Sequence, residues 1–226
     1  MNWILKPLAI LLLLTVGQGL STEAEPLKIG LIGDSTVADT YGWGPAFAER
    51  VSSRTMVLNR AKNGATLESL SKALNVLLEE KPDYVLIQFG HNDQKRYGVE
   101  EYSKNLRSYV ERITNSGGQA VIVSSVTRRN FDNAGRIAPR ASGLKGSLPE
   151  FSRVARKVAS ELKVPFIDLY ALSVGHHNKI GRGASAAYNF EESDTTHFSK
   201  KGAAAIANLV VEELGKVSPE LKADLK

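Results

Sequence analysis

Apolar and polar positions alternate between two kinds of segment along this chain. Leu27 to Ile32 is a short, mostly apolar run that stops at Gly33-Asp34-Ser35. Tyr84 to Phe89 is another, closed by Gly90-His91-Asn92-Asp93, and Ala120 to Ser124 and Val164 to Leu169 share the form. Thr55 to Asn59 is a weaker member of the set. Such runs, bounded by polar loops, read as strands buried on both faces. Between them the apolar period changes. Leu67, Leu70, Leu74 and Leu77 recur at helical spacing between Thr66 and Glu80, ahead of Pro82-Asp83. Tyr102, Leu106, Tyr109, Val110 and Ile113 mark a second helix, stopped by Gly117-Gly118. Leu148, Phe151, Val154, Ala155, Val158 and Leu162 mark a third. A last helix starts near Ser199 and carries Ala205, Ile206, Leu209 and Val210. Strands alternating with helices predict an α/β fold of three layers, α/β/α, around a parallel sheet.

Open parallel sheets bind ligands beyond the carboxyl ends of their strands. That rule selects the loops after Ile32, Asn59, Phe89 and Leu169. Asn130 to Pro149 is the longest irregular stretch, and long ordered loops in compact domains are often functional. No internal repeat or linker divides the chain, so a single domain is expected over residues 25–226. The first residues have another character. Lys6 precedes an apolar run from Leu8 to Val16, followed by small residues. This order is that of a signal peptide, expected over residues 1–24 with cleavage near residue 19 or 24. The run is too short for a spanning helix, and no other is long enough. The expectation is a secreted or periplasmic protein with no membrane anchor.

Composition narrows the chemistry. Hydrophobic residues make up 42% of the 226, enough for a substantial core. There is no cysteine, which excludes disulfides, thiolate metal sites, thiol catalysis and lipidation at a cysteine. The net charge is +5, and loss of the leader leaves it unchanged because Lys6 and Glu23 cancel. A mildly basic surface would steer a polyanion such as a pectic polysaccharide, although ordinary solubility explains the same charge. No Lys/Arg block interleaved with aromatics marks a nucleic-acid site.

Two of the selected loops carry nucleophile chemistry. Gly33-Asp34-Ser35 puts a serine at a strand end, where Ser35 is either a nucleophile or a helix cap. Asp194-Thr195-Thr196-His197 lies just before the last helix. An Asp three residues ahead of a His can reach its Nδ1 if the turn folds back, holding tautomer and charge. Asn92 offers an amide donor for an oxyanion, and Gly64 a backbone N–H. The G-x-S-x-G elbow is absent, since Val37 stands in its last position.

Taken together, Gly33-Asp34-Ser35, Gly64, Gly90-His91-Asn92-Asp93 and Asp194-x-x-His197 resemble the SGNH, or GDSL-like, hydrolase superfamily in order and position. The strings GDSTVADTYGWG, NRAKNGATLESL, QFGHNDQK, VTRRNFDNAG and DTTHFSKKGA are similar to the rhamnogalacturonan acetylesterase family of carbohydrate esterases. The resemblance covers nearly all of the chain beyond the leader. It implies a flavodoxin-like, five-stranded sheet of order 2-1-3-4-5. It also implies Ser35 as nucleophile, His197 as base and then acid, and Asp194 as its orienting partner. The backbone N–H groups of Ser35 and Gly64 and the Asn92 side chain would form the oxyanion hole. No cofactor and no metal are implied, and the substrate would be an acetylated polysaccharide or oligosaccharide met by a monomer.

Other residues invite weaker readings. Trp43 either stacks on a sugar or packs in the interior. Arg128 and Arg129 either meet a uronate carboxylate or are solvated loop charges. His91 and Asp93 either touch the site or hold their loop. His176-His177 suggests a metal pair, but adjacent residues do not share a face, so no metal is expected there. Rival functions are a xylan acetylesterase, a general esterase or lysophospholipase, and a non-catalytic glycan-binding protein. The last does not require a complete Ser35, Asn92 and His197 set.

Overall fold

The computed structural model describes residues 25–139 and 144–226. The expected leader lies outside the described residues. Along the chain come β1 (Leu27–Gly33), α1 (Gly44–Ala48), β2 (Thr55–Asn59), α2 (Ser71–Glu79) and β3 (Tyr84–Gln88). Then follow α3 (Asp93–Arg96), α4 (Val99–Asn115), β4 (Gln119–Val123), α5 (Leu148–Leu162), β5 (Phe166–Ile167), α6 (Leu169–Ala186) and α7 (Lys200–Val217). All strand pairs are parallel, in the order β2-β1-β3-β4-β5. This is the expected sheet.

Strand periodicity sorts the core into two layers. Ile29 and Leu31 of β1, Leu86 of β3 and Val121 and Val123 of β4 face one side. There they meet Phe47 of α1, Leu169 of α6 and Ile206, Val210 and Leu214 of α7. Ile32, Val85, Ile87 and Ile122 face the other side. They meet Leu74 and Leu77 of α2, Leu106 and Ile113 of α4, and Phe151 and Val158 of α5. Each such Leu or Ile, fully buried, is worth about 1.5–3 kcal/mol of transfer free energy. Gly30 fits this packing, because a Cβ there would lie 3.0 Å from a Leu77 methyl.

Three element boundaries depart from the expected ones. The helix expected from Thr66 begins at Ser71. Thr66 and Ser69 exchange side-chain and backbone hydrogen bonds, and this local turn competes with helix. The fifth strand is two residues rather than the whole of Val164 to Leu169. Val164 N–H still caps α5 by donating to Ala159 O, and Asp168 already caps the next helix by accepting from Ala171 N–H. That next helix, α6, replaces the loop expected after Leu169. It is broken at Gly181, whose φ of 77° is left-handed.

The sheet order places the site. β1 pairs with β2 on one side and β3 on the other, so the loops leaving β1 and β3 diverge. Such a reversal point opens a crevice at the carboxyl edge. Among the described residues no helix is long and apolar enough to cross a membrane.

Candidate active site

The loop after β1 is held from within. Asp34 Oδ1 accepts from Thr36 N–H at 2.9 Å and from Thr36 Oγ1 at 2.7 Å. Asp34 O accepts from the N–H groups of Val37 and Ala38, closing a turn around Ser35. Gln88, the last residue of β3, donates Nε2–H to Thr36 Oγ1. Trp43 Nε1–H donates to Gln88 Oε1 at 2.8 Å. Trp43 is 0% exposed and therefore offers no face to a sugar. The stacking reading of Trp43 is corrected: its ring packs edge-on against Phe47 and its N–H anchors the Ser35 loop to the sheet.

The loops after β2 and β3 are tied to each other. Asn92 donates Nδ2–H to Ala65 O at 3.1 Å and accepts from Lys95 Nζ at 3.0 Å through its Oδ1. Lys95 thus sets which end of the amide faces Ala65. Asp93 Oδ1 accepts from Leu67 N–H at 3.0 Å and from the Tyr97 hydroxyl. Asp93 therefore holds the loop. Burial raises its carboxyl to about 6, against the pull of those donors. Gly64 has φ +74° and lines the same cleft as Asn92 and Ser35. A Cβ there would meet no protein atom within 4 Å, so its backbone conformation, rather than crowding by the protein, is what favours glycine.

The third piece arrives between α6 and α7. Asp194 Oδ1 accepts from the N–H groups of Thr196 and His197 at 2.9 and 3.0 Å, folding the turn back on itself. Asp194 Oδ2 then lies 2.7 Å from His197 Nδ1, and His197 Nε2 lies 2.8 Å from Ser35 Oγ. A carboxylate beside Nδ1 keeps the imidazole proton there, which leaves Nε2 to accept the Ser35 hydroxyl proton. Partial burial works against the Asp194 charge, but these hydrogen bonds and the His197 ring outweigh it and hold the carboxyl below its ordinary range. The structure thus brings Ser35, Asp194 and His197 into one hydrogen-bonded line.

That line opens on a cleft of about 330 Å³ whose walls include Asn92, Gly64, His91, Lys95 and Arg128. A candidate nucleophile, base, carboxylate and oxyanion donors meeting in one concave site is the arrangement that acyl transfer needs. The GDSL-like lipase/acylhydrolase family model matches residues 31–205, which include Ser35, Gly64, Asn92, Asp194 and His197. This chain belongs to that family. As a GDSL-like hydrolase it is a serine esterase. It is 35% identical to the rhamnogalacturonan acetylesterase RhgT of Bacillus subtilis (strain 168), over 88% of this chain and 94% of that one. It is 28% identical to the rhamnogalacturonan acetylesterase of Emericella nidulans, over 80% of this chain and 81% of that one. Among solved structures, Axe2, an acetylxylan esterase from Geobacillus stearothermophilus, has the same fold. Its TM-score is 0.65 at 20% identity, covering 84% of this chain and 94% of Axe2.

The remaining candidates of this GDSL-like chain fall apart in space. Arg128 lines the cleft and donates Nε–H to Thr196 Oγ1 at 3.1 Å. Arg129 is turned away, behind the His197 loop. It donates Nη2–H to the carbonyl oxygens of Asp194 and His197, at 3.1 and 2.5 Å, and Nε–H to Asn189 Oδ1. His91 is buried in the cleft wall, its Nδ1 3.6 Å from Asp34 Oδ2. Burial lowers its basicity more than the Asp34 carboxylate raises it. His176 and His177 lie on α6 and face Tyr188 and Ser185, respectively. No group of three or more His, Cys, Asp or Glu among the described residues is placed to hold a metal. Two aromatic residues that the sequence pattern does not mark stand beside His197. The Tyr41 ring lies 5.1 Å from the His197 ring, and Phe190 lies 4.6 Å beyond it with 44% exposure. Tyr41 sits in the same GDSTVADTYGWG string as Trp43, and sequence alone does not say which of the two aromatic residues faces the cleft.

Proposed function

We propose that this chain is an exported carbohydrate O-acetylesterase acting on acetylated plant cell-wall polysaccharide, foremost pectic rhamnogalacturonan. The observation that carries the reading is the Asp194–His197–Ser35 line, closed at 2.7 and 2.8 Å above a polar cleft. In this reading Ser35 Oγ attacks the acetyl carbonyl while its proton passes to His197 Nε2. The alkoxide that forms is held by the N–H groups of Ser35 and Gly64 and by Asn92 Nδ2–H. The sugar oxygen leaves with the proton from His197, and Ser35 carries the acetyl group. Water then gives a proton to His197, attacks the acetyl carbon and releases acetate, returning Ser35 to its hydroxyl form.

Several features support the finer parts. The cleft is small and lined by Asn, Lys, Arg and His side chains rather than by an apolar channel, which suits an acetyl group on a sugar better than a long acyl chain. The two curated relatives described above are named for rhamnogalacturonan, while the fold likeness to an acetylxylan esterase keeps xylan as the alternative. The charged, apolar and small order of residues 1–24 supports export. The reading takes the protein as an unanchored monomer.

Acetate release from acetylated rhamnogalacturonan, acetylated xylan and longer acyl esters tests the reading. Release should be fastest from the pectic polymer and absent with Ser35→Ala. Faster release from xylan would move the substrate. Binding of acetylated glycans with no acetate release would make this a binding protein.

A further inference from the structure

Consecutive residues part between two depressions at the carboxyl edge of the sheet. Arg128 and Thr196 line the Ser35 cleft, whereas Arg129 and Thr195 line a second hollow of about 360 Å³. Asn130, Phe131, Arg182 and Asn189 complete most of its wall. No Asp or Glu is among the described residues that line it, so both charged groups there are guanidinium cations.

The donors of the two arginines are unequally used. A guanidinium has five N–H donors. Arg129 is 4% exposed and spends its Nε and Nη2 on Asn189, Asp194 and His197. Its Nη1 is buried and has no hydrogen-bond partner in the protein. Buried donors are nearly always satisfied, so an exception calls for a reason. Burial pushes this guanidinium down to about 10, against the opposing charge of Asp194. Asp194 is itself committed to His197. Arg182 follows the left-handed Gly181 that breaks α6. It is exposed and anchored at one edge only, donating Nη2–H to Asp132 O at 2.6 Å and lying over the Phe131 ring at 5.8 Å. Two cations, neutral Asn and Thr groups and no acid make a receptor for a carboxylate.

We propose that this hollow is a subsite for a substrate sugar carboxylate, with the exposed Arg182 as its cationic donor and the buried charge of Arg129 behind its wall. The proposal rests on the pectic reading above and deepens it, since a uronate polymer carries such carboxylates along its length. A chain with its acetyl group at Ser35 would reach this hollow across the wall formed by residues 128–129 and 195–196, bringing another uronate of the same chain to Arg182. The charge behind the wall would also couple the anion to the loop that carries the base, because Arg129 donates to the carbonyl oxygens of Asp194 and His197.

Binding without turnover tests this apart from the esterase reading. A galacturonate trisaccharide is titrated calorimetrically into Ser35→Ala, and into Ser35→Ala carrying Arg182→Gln. The second variant should bind about ten-fold more weakly, the loss of one charge-assisted pair. The carboxyl-reduced trisaccharide should bind both proteins equally weakly. In the active enzyme, Arg182→Gln should raise KM for acetylated rhamnogalacturonan and leave turnover of p-nitrophenyl acetate unchanged. Equal binding of the charged trisaccharide to both proteins would overturn the subsite. So would equal binding of the charged and reduced sugars, or binding of free acetate in place of the trisaccharide. If Arg182-dependent uronate binding holds while no pectic substrate is deacetylated, the substrate reading fails and the carboxylate site stands.

Discussion

The two walls of the cleft are built by different means. On the Ser35 side, Asp34, Thr36, Gln88 and Trp43 form a buried relay that pins the loop to β3. Asn92 and Asp93 fasten the Gly64 loop to the next one. On the His197 side, the chain between α6 and α7 is about a quarter exposed at Asp194 and His197. Apart from hydrogen bonds within the segment, such as Phe190 N–H to His197 O and those to Asp194 Oδ1, its backbone is held by Arg129, through Nη2 and its own N–H, and by Phe198 N–H donating to Tyr41 O. A candidate hole for a developing charge gains from donors that do not move. A base that must rotate slightly between taking and giving a proton tolerates a lighter mount. Damage to the two walls should therefore have different signatures.

The largest effect is expected at the base. Asp194→Asn should lower kcat by about 10⁴-fold, because the wrong imidazole tautomer then faces Ser35. A loss under ten-fold would mean that Asp194 only folds the turn. Next, Asn92→Ala should lower kcat by about 10²–10³-fold with KM nearly unchanged, as expected for a donor used only in the transition state. A rise in KM instead would place Asn92 in substrate binding. Arg129→Met should cost about 10²-fold, the scale of a small misplacement of the base, and more as temperature rises. Activity that survives Arg129→Met intact would show that the His197 loop holds itself.

The smallest effect concerns stability on the Ser35 side. Asp93 has a carboxyl raised to about 6 in the fold, above its ordinary 3.8. The unfolded chain therefore releases this proton earlier as pH rises. Stability falls through the window from about 4 to 6 and is level above it. Asp93→Asn keeps an acceptor for Leu67 N–H and Tyr97 but carries no charge. Urea unfolding at pH 4.5 and pH 7 should show the parent losing roughly 1–3 kcal/mol relative to this variant. Parallel behaviour at both pH values would contradict a buried, charge-averse Asp93.

Much of this was legible in the sequence, for reasons that also mark what was not. β1 and β3 announce themselves because both faces are buried, which demands continuous apolar residues at Ile29 to Ile32 and Val85 to Ile87. The loops that carry Ser35, Gly64 and Asn92 follow from those strand ends. The helix α6 is masked in the sequence because Gly175, Gly181 and Gly183 interrupt its pattern, although Asp168 at its start is a readable cap. The orientation of Trp43 was open because a buried indole and a sugar platform use the same residue type. Its partner, Gln88, belongs to a different strand, so only folding makes the pair. Arg129 gave no sign of being a strut, since its acceptors, the carbonyl oxygens of Asp194 and His197, exist at every residue.

In the proposed mechanism Ser35, activated by His197, carries the acyl group. The most direct measurement is intact mass after exposure to a p-nitrophenyl phosphonate, followed by peptide mapping. One adduct is expected, on Ser35, forming slowly in Asp194→Asn and not at all in Ser35→Ala. An adduct on another residue, or labelling that persists in Ser35→Ala, would contradict it.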